Sequence, residues 1–166
     1  MNRRSALNRL GAALTVGFAP GVAAAQETPE PLILRTMRVP FDYERPDDGT
    51  FMLQYALLAH FDAQAATVAV ISDGQQFFLT ASAFRPTIGP LFDGLFNVAG
   101  VFGRGQSPAV AQRVRSPQGD VDWPTASRLL GAPQWLGDIE MMRQDLLGSG
   151  GRLLLYGRSG GAMMAH

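Results

Sequence analysis

Apolar positions run through the chain in two rhythms. Residues 32–39 read as a strand. Residues 51–61 read as another, with Phe51, Leu53, Tyr55 and Leu57 alternating with other positions. Such alternation marks a strand buried on one face. Between them, Pro40-Phe41-Asp42-Tyr43-Glu44-Arg45-Pro46-Asp47-Asp48-Gly49 is rich in turn formers. The spacing predicts an antiparallel hairpin. Three later stretches are continuously apolar: Thr67-Val68-Ala69-Val70-Ile71, residues 96–102 and residues 152–156. Continuous β-branched and aliphatic runs suit parallel strands covered on both faces. The first stops at Ser72-Asp73-Gly74, the second at Gly103-Arg104-Gly105.

The helical rhythm is scarcer. A helix is expected after Gly74, broken by Pro86, Gly89 and Pro90. Residues 104–124 are rich in Gly, Pro, Ser and Gln and read as a long loop. Trp135, Leu136, Ile139, Met142 and Leu146 then repeat at helical spacing, with Asp138 placed to cap the helix start and Gly148 its end. Strand, helix, strand, helix, strand with apolar strands predicts an α/β class. Its N-terminal antiparallel hairpin leads into a mostly parallel sheet. No internal repeat and no second domain interrupt the pattern.

The first residues follow neither rhythm. Arg3, Arg4 and Arg9 form a basic head, residues 10–22 are small and apolar, and Ala23-Ala24-Ala25 precedes Gln26. This three-part build predicts a signal peptide over 1–25, with the domain over 26–166. The protein is then expected to be exported, periplasmic or extracellular, by the Sec or the twin-arginine route. The apolar run is too short, and too often interrupted by Gly11, Gly17 and Pro20, for a stable membrane anchor.

Composition narrows the chemistry. The 166 residues carry 14 bases, all arginine, against 14 acids, with no cysteine and two histidines, His60 and His166. Lysine is absent, which excludes a P-loop; cysteine is absent, which excludes disulfides, thiolate metal sites and thiol nucleophiles. Removing residues 1–25 takes three arginines and no acid, leaving a mildly acidic chain. A basic nucleic-acid surface is therefore not expected. Nor is a metal site or a cofactor.

The residues that carry chemistry close the sequence. The apolar run ending in Tyr156 is followed by Gly157-Arg158-Ser159-Gly160-Gly161 and a small-residue helix start. Strand, G-x-S-x-G, helix is the pattern of a nucleophile elbow, in which the serine stands at the tip of a sharp strand-to-helix turn. Gly157 and Gly161 are expected because side chains would clash where strand and helix nearly touch. Ser159 is the expected nucleophile. The oxyanion hole is expected from the N–H of Gly160 and from Gln75, in the turn after the first parallel strand. Arg158 reads either as a substrate carboxylate contact or as surface cover.

With these motifs, residues 32–166 resemble the N-terminal portion of an α/β-hydrolase. The similarity is nearest to the secreted prolyl- and tripeptidyl-aminopeptidase-like serine hydrolases. Val39-Pro40-Phe41-Asp42-Tyr43-x-Arg45-Pro46 is similar to the segment that opens those enzymes, and Gly103-Arg104-Gly105-Gln106-Ser107 to their arginine-glycine turn. The chain departs from them in having Asp73-Gly74-Gln75-Gln76-Phe77 where they carry a His-Gly-Gly-Pro-Gly-like loop. It also has Gly103 where they begin the arginine turn with Asp.

The resemblance implies hydrolysis of a small-molecule ester or peptide bond. The serine is followed, later in the chain, by an acid and a histidine. Seven residues follow Ser159, so the resemblance implies a fold truncated after the elbow, without its acid and base and inactive as it stands. His166 does not replace the base, being about 10 Å further along the helix axis. The strand before the elbow is then expected to be an unpaired apolar edge. Two other readings stay open: a fragment of a dinucleotide-binding oxidoreductase, and a non-catalytic exported binding protein.

Overall fold

The computed structural model of the chain describes residues 32–59, 61–62, 64–71, 96–157 and 160–166. The signal-peptide reading and the helix expected after Gly74 fall outside these residues. The described part is a five-stranded mixed sheet with helices, in spatial order β1-β2-β4-β3-β5. β1 (Leu32–Pro40) and β2 (Thr50–Leu58) form the expected antiparallel hairpin, paired from Leu32↔Leu58 to Pro40↔Thr50. β2 runs antiparallel to β4 (Asn97–Val101). β3 (Thr67–Ile71) lies parallel to β4 on one side and to β5 (Leu153–Gly157) on the other.

Burial follows the patterning. Phe51, Leu53, Tyr55 and Leu57 are buried along β2, and every residue of β3 and β4 is buried. The larger core joins the hairpin's inner face to Ala69, Ile71, Ala99 and Val101, under Trp135, Ile139 and Met142; a smaller cluster holds Leu58, Val68, Val70 and Val98. Each large side chain so buried contributes on the order of 1.5–3 kcal/mol. β5 is more open than its continuous apolar run alone suggests: Leu154 and Leu155 are 53% and 42% exposed. Among the described residues β3 is its one neighbour, so it lies at an edge, as the resemblance implies.

The stretch expected as a long loop contains helices. α1 (Pro108–Arg113) and α2 (Trp123–Leu130) lie within and beyond it, and α3 (Ala132–Leu147) follows at once. Each helix carries proline at its first or second position, where the missing N–H costs no hydrogen bond. These prolines start helices rather than break them. Asp122 caps α2, its carboxylate accepting from the Thr125 N–H (3.2 Å) and hydroxyl (2.7 Å). Asp138 caps nothing. It lies in the middle of α3, on the buried stripe of Gln134, Trp135, Ile139 and Met142, while the expected C-cap at Gly148 has φ of 70°. α4 (Gly160–Ala165) follows β5.

Candidate functional site

The two strands that precede the expected site segments end side by side. β3 and β5 are parallel neighbours in register, with Ile71 opposite Gly157. The carboxyl ends of these adjacent strands therefore stand at the same level. This is also where the strand order reverses, since β4 lies on one side of β3 and β5 on the other. In open α/β sheets the crevice beyond such carboxyl ends is the usual ligand site.

β5 turns into α4 within two residues, between Gly157 and Gly160. The turn is tight at the backbone. A Cβ on Gly157 would overlap the Gly161 carbonyl and sit 2.6 Å from the Ala162 nitrogen. Only hydrogen fits, which is the reason given above for glycine at this position. Gly161 is buried, and Met164 and Ala165 on α4 pack against the main core. α4 is thus held to the sheet by its apolar side.

Of the expected site residues, Gly157, Gly160 and Gly161 are described and converge on this turn. Ser159, Arg158 and Gln75 lie outside the described residues, as do His60 and Asp73. His166 is exposed, one residue beyond α4. Asp62 serves its own turn: its carboxylate accepts from the Gln64 N–H, and its own N–H donates to Asn97. Among the described residues no group of three or more acids and histidines could hold a metal, and no helix is long and apolar enough to cross a membrane.

Sequence reasoning missed the charged centre that braces this frame. Arg104, fully buried, pairs with buried Asp138 through two hydrogen bonds, Nε to Oδ2 at 2.8 Å and Nη2 to Oδ1 at 2.7 Å. Its remaining donors reach the carbonyls of Phe41 (2.8 Å), Leu129 (3.0 Å) and Pro40 (3.3 Å). The guanidinium also lies over the rings of Phe51 and Tyr43. The Tyr43 hydroxyl donates to Asp138 at 2.9 Å. Beside it, Asp42 accepts from the Gln134 amide at 2.8 Å, from the Glu44 N–H at 3.0 Å and from Arg128.

Burial pushes the Asp138 carboxyl up, and Arg104 and Tyr43 pull it back. At Asp42 burial also opposes the charge, but the bonds from Gln134, Arg128 and Glu44 outweigh it and hold the carboxyl below its ordinary value. Burial, then the neighbouring Asp138 charge, pushes the Tyr43 hydroxyl far up. Every polar atom of Arg104 and Asp138 is engaged inside the protein, so the network orients elements rather than presenting a group to a ligand. It joins the hairpin loop and the arginine-glycine turn, the two segments on which the resemblance outside the elbow rests, to α2 and α3. Those helices bring the chain from β4 to β5. No spacing rule pairs positions 34 residues apart. The one available sign was an arginine between two glycines.

Compared with models of known protein families, the chain matches none, and no curated protein is detectably similar to it in sequence.

Proposed function

We propose that the chain carries the nucleophile of an exported serine hydrolase of the α/β-hydrolase type, acting on ester or peptide bonds of small substrates. The observation that carries this reading is the β5–α4 turn, whose backbone approach at Gly157 leaves no room for a side chain. Ser159 belongs to the two-residue connection of that turn. The carboxyl end of β5, which that connection follows, lies beside the carboxyl end of β3. The mixed sheet, with its antiparallel hairpin and parallel β4-β3-β5, supports the same reading.

In the mechanism so proposed, the Ser159 Oγ attacks the substrate carbonyl carbon. The negative charge that develops on the carbonyl oxygen is met by the N–H groups of Gly160 and Gln75. The serine proton must pass to a base as the carbon–oxygen bond forms. His166, the histidine nearest to Ser159 in sequence, lies exposed past the end of α4. On this reading the base and its acid partner come from elsewhere, and without them the serine is weakly nucleophilic. An oxyanion hole alone sustains about 10³–10⁴-fold acceleration over water.

A fluorophosphonate probe tests the reading, because it reports a nucleophilic serine without requiring a known substrate. Covalent labelling is expected of the full-length gene product, which on this reading brings the base, and Ser159→Ala should abolish it. Folded full-length protein that resists labelling, or a Ser159→Ala variant that labels as well as the parent, would refute the assignment.

A further inference from the structure

A cavity opens where β4 ends. It is lined by Phe102 and Gly103, the first two residues beyond Val101, by Met52 and Gln54 of β2 and by Thr36 of β1. Thr36 and Gln54 are cross-strand partners, and Met52 lies two residues from Gln54. The three therefore share one face of the hairpin. Because β3 runs parallel to both β4 and β5, this is the end of the sheet at which Ile71 and Gly157 stand. Gly103 is buried, yet its φ of −61° and ψ of 128° are extended values open to any residue. The backbone does not demand glycine there. What glycine supplies beside a cavity is room for close approach to the chain. The volume, about 260 Å³, falls just under the ~300 Å³ at which sites for drug-sized ligands begin. It suits a single ring.

The lining indicates what fits there. Among the described residues that form it, none is charged, so neither a carboxylate nor an ammonium group meets an opposite charge. Main-chain donors are spent. The Phe102 N–H donates to the Gln54 carbonyl (2.9 Å), and the Gln106 and Ser107 N–H groups donate to the carbonyls of Gly103 and Arg104 (both 3.0 Å). These groups neither pair with a peptide strand nor gather round an anion. Recognition then falls to side chains. The hydroxyls of Thr36 and Ser107 and the Gln54 amide both donate and accept, and the Ser107 hydroxyl does not cap α1. Met52, Phe102 and Pro108 supply apolar surface beside them. A sugar ring has the matching character, with hydroxyls that donate and accept round its rim and C–H faces that pack on apolar groups. We propose that this cavity binds a neutral hexose ring. Nothing in this binding uses Ser159, so serine labelling and sugar binding succeed or fail separately.

Amide signals of the isotope-labelled full chain, followed by NMR, test this during titration with methyl glucoside and methyl galactoside. Cyclohexanol and a blocked glycine dipeptide serve as comparisons. At least one glycoside should shift the Gln54 side-chain amide and the Phe102 and Gly103 N–H signals saturably. It should do so at a concentration about tenfold below that needed by cyclohexanol or the dipeptide. Gln54→Ala, at an exposed position, should weaken the glycoside about threefold to tenfold. Gly103→Val should abolish its binding while circular dichroism stays unchanged; if that variant does not fold, the Gln54→Ala titration decides. Glycosides that leave these signals unmoved overturn the proposal, as does cyclohexanol that matches them or a response unaltered in Gln54→Ala. Tighter binding of the dipeptide also overturns it and would assign the cavity to a peptide.

Discussion

Arg104 and Asp138 hold opposite charges inside the protein, both side chains fully buried, and each is bonded to the other and to fixed protein partners. Such a pair contributes little over an apolar one of the same size, yet removing one member strands the other. Asp138→Asn is therefore expected to cost about 3–5 kcal/mol in urea denaturation. Glu140 makes the contrast. Its hydrogen bonds from Arg143 and then Gln144 hold its carboxyl down to about 2, but the pair lies at the surface. Glu140→Gln should change stability by no more than about 1 kcal/mol. Burial, not the presence of an ion pair, separates the two outcomes.

At the scale of elements, the same geometry makes some glycines necessary. Gly137 sits inside α3, where alanine ordinarily stabilises a helix by about 1 kcal/mol. Here a Cβ would run into the Tyr43 ring, with Cζ at 2.8 Å. That ring is fixed by the hydroxyl bond to Asp138 and by the Tyr43 N–H bond to Gln134. Gly137→Ala should thus lower the urea midpoint, by the equivalent of about 1–3 kcal/mol, rather than raise it. Elements were legible to different degrees. β3 was readable to the residue, because five apolar and β-branched positions in a row admit little else. α1 and α2 were not, because proline and glycine punctuate both loops and helix starts. The sign that distinguishes them, a cap such as Asp122 accepting from Thr125, is a contact rather than a composition.

Over the whole molecule, the sheet and α3 are tied together by Tyr55, whose buried ring ends in a hydroxyl that donates to Asp145 on α3. Burial first, and then the Asp145 bond, push this hydroxyl up from 10 to about 12. Tyr43 is shifted in the same direction. A raised folded-state value means that the folded protein keeps a proton the unfolded chain releases. The stabilisation is complete below pH 10 and is lost as pH rises toward about 12. Stability measured by denaturant titration should fall across that window, with Tyr55 contributing about 2 kcal/mol of the loss. Tyr55→Phe should be less stable at neutral pH but show a shallower alkaline decline. An undiminished decline in that variant would show that Tyr55 does not carry the effect.

What the sequence determined by itself is local. Alternation made the hairpin, continuous apolar runs made the parallel strands, and a glycine pair marked the turn between β5 and α4, because each depends on neighbours a few residues away. The tertiary structure alone decided that Asp138 is a buried partner of Arg104 rather than a helix cap. It also set Ile71 opposite Gly157. These facts depend on which distant segments meet, and burial converts that meeting into energy: a carboxylate that caps a helix in water must find an arginine when the fold closes over it.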